Sequence, residues 1–154
     1  MIFGGEYIFF PGAFPWAYVQ YPTWLRWLGA LVLAVGIVLL GLAHHYLGKS
    51  FHSLVVRKTD QALVDSGPYR TIRHPIYTAF MLTYTGGGLL ASNLLLTLIA
   101  GPMFGLMVAL RIEEEETAML AQFGPRYAEY MNRTGRFMPR LRRVTRTSVP
   151  PAKR

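Results

Sequence analysis

The chain has 154 residues, the length of a single domain, and its formal net charge is +8. Hydrophobic residues make up 52% of it and charged residues only 16%, against roughly 25% charged residues in soluble domains. The absence of cysteine excludes disulfides and thiolate metal sites, and we predict no metal centre. This composition argues against an ordinary soluble domain, and we treat residues 1–154 as one membrane domain.

Two long runs of the sequence carry no Asp, Glu, Lys or Arg. Trp27–Gly48 is free of them over 22 residues and His74–Leu110 over 37 residues. A helix needs about 20 mostly apolar residues to cross roughly 30 Å of hydrocarbon. The sequence therefore predicts an all-α integral membrane protein.

The amino-terminal part divides into an aromatic segment and a first transmembrane helix. Residues 1–22 are rich in Tyr, Phe and Trp and contain three prolines, which favours a segment lying at the membrane interface over one continuous helix. A transmembrane helix is predicted over residues 24–46. It has no basic region before it and ends in His44-His45, so we interpret it as a retained span and not a signal peptide.

The second apolar run is too long for one span. As a single helix its 37 residues would reach roughly 55 Å. Small, turn-prone residues interrupt it at Gly86-Gly87-Gly88 and at Ser92-Asn93. We predict a hairpin of two transmembrane helices over residues 75–90 and 94–111, with a tight turn at Ser92-Asn93 and glycines that allow close helix packing.

Basic residues mark one side of the membrane. The segment between the first two spans is basic, and residues 123–154 hold nine Lys or Arg against one Glu, whereas residues 1–23 hold no base. The positive-inside rule then makes the basic side cytoplasmic, together with the site and the carboxyl terminus of this multi-pass protein. Anionic lipid headgroups are the predicted partner of these bases, and nucleic acid is not. Residues 144–154 are expected to form a disordered basic tail.

The motif "GPYRTIRHPIY", residues 67–77, stands directly before the second span. Proline suits the first position of a helix, so Pro75 predicts that the helix begins there and that His74 caps it. If the motif only anchors the helix in the membrane, Arg73 is a snorkelling side chain and Tyr77 is a tyrosine at the interface. A functional reading makes the same strip part of a binding site.

Two further motifs follow the third span. In "RIEEEE", residues 111–116, we expect most of the acidic side chains to face solvent, but Arg111 and Glu115 share one helix face at the membrane boundary, which favours a function. Residues 120–140 are predicted to form a lid on the interface. A helix break is expected at Phe123-Gly124-Pro125, and a short helix carrying Tyr127 and Tyr130 is expected after it.

Taken in order, "GPYRTIRHPIY", a helical hairpin, "RIEEEETAML" and "FGPRYAEYMNRTGRFMP" resemble the isoprenylcysteine carboxyl methyltransferase family. Related phospholipid methyltransferases share much of the pattern. The match runs from about residue 61 to residue 139, roughly half the chain. Each piece is short, and it is their order and spacing that make the resemblance specific.

The resemblance implies S-adenosylmethionine as the methyl donor, with S-adenosylhomocysteine as its product. It implies a pocket formed by the cytoplasmic loops and the carboxyl-terminal helices. The implied cofactor contacts are Gln61, Val64, Tyr69, His74, Pro75, Tyr77 and Glu115. Gln61 stands where eukaryotic members have histidine. Arg111 falls where the family places its substrate-binding arginine, and Arg111 and Glu115 are the candidate catalytic residues.

The residue types suit this chemistry. Aromatic faces bind a sulfonium cation, Glu115 offers a counter-charge, and Arg73, His74 and the amides at the helix start suit a carboxylate. The leading hypothesis is a methyltransferase acting on a carboxylate of a lipophilic, prenyl-like substrate. Alternatives are a phospholipid N-methyltransferase, a non-catalytic membrane interaction protein and a nicotinamide-dependent reductase of related fold.

Overall fold

The structure, a computed structural model, describes residues 17–48 and 63–140. Within these ranges the chain is helical, with no strands and only two isolated bridges. A short 3-10 helix at Gly67–Arg70 precedes the second α-helix, and a π-helical turn at Leu96–Ala100 leads into the third. The α-helices are α1 (Thr23–Leu47), α2 (Pro75–Leu90), α3 (Gly101–Phe123) and α4 (Pro125–Arg133). Residues 1–16, Gln61 and the predicted tail at 144–154 lie outside the described residues.

The predicted all-α membrane architecture is confirmed. Two helical stretches, Thr23–Leu47 and Leu96–Phe123, are long and apolar enough to cross a membrane. The bounds of α2 are those predicted for the second span, 75–90. Its 16 residues reach only about 24 Å, less than the roughly 30 Å of the hydrocarbon core. Among the described residues α2 is not one of the two stretches long enough to cross, and its role as a span stays a prediction.

The third helix extends past the predicted end of the third span at residue 111. It continues to Phe123, because the residues after Arg111 are mostly Glu, Ala, Leu, Met and Gln, which favour helix whether or not lipid surrounds them. It ends where Gly124 adopts a positive φ of 55° and Pro125 starts α4. The predicted break and the predicted short helix are therefore both present.

Small residues form the interface between α1 and α2. The buried residues of α1 are Gly29, Gly36 and Ala43, spaced seven apart so that they lie along one face. On α2 the buried residues include Ala79 and Gly86. Without large side chains between them the two backbones approach closely, which is how helices associate when lipid removes the hydrophobic drive.

The predicted packing role of the glycine triplet holds at two of its three positions. A Cβ added to Gly86 would lie 2.8 Å from the Gly29 carbonyl oxygen and would also collide with the Leu33 amide. A Cβ on Gly88 would lie 2.5 Å from the Thr97 amide nitrogen. A Cβ on Gly87 would meet nothing within 4 Å. Gly86 therefore packs against α1, Gly88 packs against the segment at Thr97, and Gly87 packs against neither.

The two ends of this bundle differ in character. At one end the Val19 amide donates to the Ser92 carbonyl at 3.0 Å, and the Arg26 Nε donates to the Leu90 carbonyl at 3.3 Å. Ser92 takes the positive φ of the predicted tight turn, 54°, and Asn93 Oδ1 accepts from the Leu96 amide at 3.1 Å. The motifs singled out from the sequence gather at the other end.

We predict opposite outcomes for alanine at neighbouring glycines of α2. Gly86→Ala should lower the stability of the folded protein by about 1–3 kcal/mol, because its methyl group meets backbone atoms that cannot move aside. Gly87→Ala is the matched control and should be neutral or raise stability by up to about 1 kcal/mol, since alanine favours helix. Thermal unfolding of the two purified variants checks this. Equal effects would contradict the close approach of α1 and α2.

Candidate functional site

The site begins at the start of α2, where a carboxyl-terminal segment lies across the chain. His74 occupies the helix cap and Pro75 the first helical position, as predicted, and Pro75 is fully buried. The Arg73 amide donates to the Gly135 carbonyl at 2.8 Å, and the His74 amide donates to the Arg136 carbonyl at 3.0 Å. These two amides, which lie just before α2, are therefore already bonded within the chain. That the first amides of α2 itself suit a ligand carboxylate stays a prediction.

Arg73 is an internal crosslink. Its side chain is only 9% exposed, and its Nε donates to Glu116 Oε1 at 2.9 Å. Its Nη1 donates to the carbonyls of Met131 at 2.9 Å and of Thr134 at 2.6 Å. The guanidinium thus joins the start of α2 to α3 and to the end of α4. The anchor reading of Arg73 is wrong, because a snorkelling side chain would place this group in water.

Glu116 is the shared ion-pair partner of Arg73 and Arg136. Its side chain is 4% exposed, and its second oxygen, Oε2, accepts from Arg136 Nε at 3.0 Å and Nη2 at 2.8 Å. The run of four glutamates predicts a largely solvated stretch, in which Glu116 is not distinguished from its neighbours. A signal was present, since Glu116 continues the four-residue spacing of Val108 and Ile112, which are both buried.

His74 lies between two carboxylates and two rings. Its Nδ1 is 3.9 Å from Glu115 Oε2 and its Nε2 is 3.5 Å from Glu116 Oε1. Among the described residues, the buried Nε2 has no hydrogen-bond partner. The ring stacks on Tyr77 with centroids 5.7 Å apart, and Phe137 packs at 6.3 Å. Burial lowers the pKa of His74, against the opposing effect of Glu116 and Glu115, so the imidazole is neutral at pH 7.

Tyr77 and Glu115 form the part of the site next to the apolar stretch of α3. The Tyr77 hydroxyl donates to Glu115 Oε1 at 2.6 Å, and the Tyr77 ring packs edge-to-face on Phe104 at 6.2 Å. Glu115 remains 34% exposed, so its carboxylate is within reach of a ligand. Arg111 is exposed one turn before it, and in the described part of the chain no ion pair within 4.0 Å joins the two.

The loop before α2 is held by α4. The Tyr130 hydroxyl donates to the Tyr69 carbonyl at 2.7 Å, and Leu63 packs in one buried cluster with Tyr127 and Tyr130. Tyr69 itself is 8% exposed, and burial raises its pKa to about 12. Its phenol is therefore neutral and mostly covered. The half-buried Val64 lies on the same loop.

The structure thus brings together only part of the predicted set. Four of the predicted residues meet around the start of α2: His74, Pro75, Tyr77 and Glu115. Tyr69 and Val64 belong to the adjoining loop, and Arg111 lies on the neighbouring turn of α3. Nothing can be said of Gln61. In the ranges that the structure describes, no three His, Cys, Asp or Glu side chains are grouped to hold a metal ion.

Fold and site together define an all-α integral membrane protein with a buried ion-pair centre at one end of a helical hairpin. A family model described as the isoprenylcysteine carboxyl methyltransferase (ICMT) family matches residues 27–121. That range is more than half of the chain, and this protein belongs to the family.

Individual relatives agree with this assignment. The cobalt-zinc-cadmium resistance protein CzcN of Cupriavidus metallidurans is 34% identical over 116 residues, 75% of this chain and 52% of that protein. Human protein-S-isoprenylcysteine O-methyltransferase is 30% identical over 139 residues, 84% of this chain and 46% of that protein. The solved structure of the eukaryotic intramembrane Ras methyltransferase ICMT aligns with a TM-score of 0.69 and 29% identity, covering 89% of this chain and 48% of that one. The chain spans about half the length of these relatives.

Removal of the Glu116 charge should destabilise the fold strongly. Glu116→Gln leaves the buried Arg73 guanidinium without a counter-charge, which costs about 3–5 kcal/mol. Glu114→Gln removes the same charge two residues away on an exposed turn and should change stability by less than about 0.5 kcal/mol. Thermal unfolding of both variants in one detergent tests this, and similar unfolding midpoints would show that the pair is not essential.

Acidification should lower the stability of the folded protein, because the buried His74 imidazole resists protonation. Because the pKa of His74 is lower in the folded than in the unfolded chain, the folded protein binds fewer protons below about pH 6.5, and stability falls as pH falls through that window. The decline from about pH 7.5 to 5.5 should be smaller in His74→Gln, which cannot titrate. Unfolding midpoints across this range measure it. The same decline in both proteins would exclude His74 as the source.

Proposed function

We propose that this protein is an S-adenosylmethionine-dependent methyltransferase that methylates a carboxylate on a lipophilic, prenyl-like substrate at the cytoplasmic face of the membrane. Family membership supports the reaction class. The observation that carries the proposal is the placement of a half-exposed carboxylate, Glu115, on the hydroxyl of Tyr77 beside the stacked His74. This group of side chains lies where α3 passes from apolar to charged sequence.

The donor chemistry of the site fits S-adenosylmethionine. Glu115 is 34% exposed and offers a counter-charge to an ammonium or sulfonium group. The rings of Tyr77 and Phe137 flank His74 and provide π-faces that attract a cation. The Nε2 of His74 is a buried polar atom that lies 3.5 Å from Glu116 Oε1 and has no hydrogen-bond partner in the described residues, which is consistent with a ligand supplying that bond. When bound, S-adenosylmethionine would supply an electrophilic methyl group.

The residues of the chain are suited to orientation more than to proton transfer. An acceptor carboxylate is already ionised at pH 7, so the reaction requires alignment and exclusion of water and no general base. Tyr77 fixes one oxygen of Glu115 through the 2.6 Å bond. The Arg73–Glu116 pair holds α2 and α3 together behind them. These contacts preorganise the donor side of the site.

Arg111 is the proposed binding group for the acceptor. It is exposed at the boundary where the apolar part of α3 ends, and a guanidinium binds a carboxylate through two parallel hydrogen bonds. The neighbouring Leu106 and Leu110, which are 62% and 72% exposed, offer apolar surface on the membrane side of Arg111. A lipophilic substrate with a carboxylate at one end matches this arrangement. The basic residues at this end support its cytoplasmic location.

Binding and transfer can be measured on the purified chain in lipid nanodiscs. S-adenosylhomocysteine should bind in a calorimetric titration, and Glu115→Gln should weaken binding about tenfold, the effect of losing a charge-assisted contact. Glu114→Gln makes the same charge change on an exposed turn and should bind as the wild type does. Absence of binding in the wild type would refute the donor assignment.

Transfer of a labelled methyl group then identifies the acceptor chemistry. Base-labile label in a small prenylated carboxylic acid would support the ester product, and Arg111→Gln should raise the KM for this acceptor about tenfold or more, since it loses a bidentate contact. Arg126→Gln, an exposed arginine on α4, is the control. Base-stable label in a phospholipid would instead indicate N-methylation and would overturn the carboxylate proposal.

A further inference from the structure

Residues 134–137, which we name the crossing segment, pass over the start of α2. Besides the two bonds that it accepts from the amides of Arg73 and His74, its Gly135 amide donates to the Thr71 carbonyl at 3.1 Å. The Thr78 hydroxyl donates to the carbonyl of Phe137 at 2.8 Å. The segment ends with the Phe137 ring against His74, 6.3 Å between centroids. It is thus bound along its length to the residues that precede α2 and to the first turn of α2.

The His74 ring depends on this packing for its orientation. Its Nε2 has no hydrogen-bond partner in the described residues and lies 3.5 Å from Glu116 Oε1. Its Nδ1 is 3.9 Å from Glu115, and its side chain makes no capping bond to α2. Besides these contacts to the two carboxylates, the ring packs on Tyr77, which belongs to α2 itself, and on Phe137, which belongs to the crossing segment. A change in the crossing segment would therefore reach the imidazole through Phe137.

Arg136 ties the crossing segment to α3. Its guanidinium donates twice to Glu116 Oε2, at 3.0 Å and 2.8 Å. Its side chain is 42% exposed, against 9% for Arg73 on the other oxygen of the same carboxylate. Loss of Arg136 would leave Glu116 paired with Arg73 and α2 still joined to α3. Arg136 can therefore be changed without leaving a buried charge unpaired, which sets it apart from Arg73 and Glu116.

We propose that Arg136 is a positioning residue for the reaction: its bond to Glu116 keeps the crossing segment in place, so that Phe137 holds the His74 ring in the orientation that meets the methyl donor. This inference rests on the proposed function, because it takes His74 as part of the donor site. Arg136 itself touches neither donor nor acceptor in this account.

The test is a double-mutant cycle on S-adenosylhomocysteine affinity, measured by calorimetry on the full chain in nanodiscs. Arg136→Gln should raise the Kd about tenfold, and Arg136→Lys, which retains the charge, should raise it less. Phe137→Leu should weaken binding to a similar degree. If Arg136 acts through Phe137, the Kd of the double variant should be no higher than the Kd of whichever single variant binds more weakly. Arg126→Gln, an exposed arginine with no ion pair among the described residues, should leave the Kd unchanged.

Kinetics and hydrogen exchange distinguish a positioning role of Arg136 from a merely structural one. Arg136→Gln should raise the KM for S-adenosylmethionine and leave the KM for the acceptor unchanged, with faster amide exchange at Gly135 and at His74. Faster exchange with an unchanged Kd, or additive losses in the double variant, would overturn the inference. If the wild type binds no S-adenosylhomocysteine, the proposed function fails together with the part of the inference that concerns the donor. The exchange data then still decide whether Arg136 secures the crossing segment.

Discussion

The buried pair of Arg73 and Glu116 is the interaction on which the arrangement of the site depends. It links the start of α2 to α3 through a bond of 2.9 Å between two side chains that are almost fully covered. The same guanidinium binds two carbonyls at the end of α4. A charge pair removed from water is stabilising only when its remaining hydrogen-bonding groups are satisfied, and here the backbone of α4 and Arg136 satisfy them. The pair therefore requires α4 and the crossing segment to be folded against the hairpin.

Different interactions hold the apolar and the polar parts of the molecule together. Along α1 and α2, contact is made through glycine and alanine, because backbone approach supplies packing where lipid removes the hydrophobic drive. Beyond the apolar part of α3, association comes instead from ion pairs and hydrogen bonds and from a small aromatic cluster. The proposed reaction centre lies at the boundary between these regimes. The substrate class that we propose, with an apolar chain and a charged end, suits such a boundary.

The sequence predicted the architecture better than the site. Charge-free runs and the proline at position 75 placed α1 and α2 almost to the residue, because span length and helix-start geometry are local properties. The burial of Arg73 and Glu116 was not predicted. It depends on contacts between residues 43 positions apart, and no local sequence pattern specifies such contacts. Spacing from Ile112 did mark Glu116, but a run of four glutamates suggests a solvated face. The predicted contact of Tyr69 with the cofactor remains a prediction, its phenol being mostly covered.

The most direct measurement is an experimental density map of this chain in nanodiscs with S-adenosylhomocysteine added. We predict ligand density that contacts His74 and Tyr77, with the amino-acid part of the ligand near Glu115 and with Arg73 still bound to Glu116. Ligand density elsewhere on the molecule, or a map in which Arg73 and Glu116 are apart while ligand is bound, would contradict it.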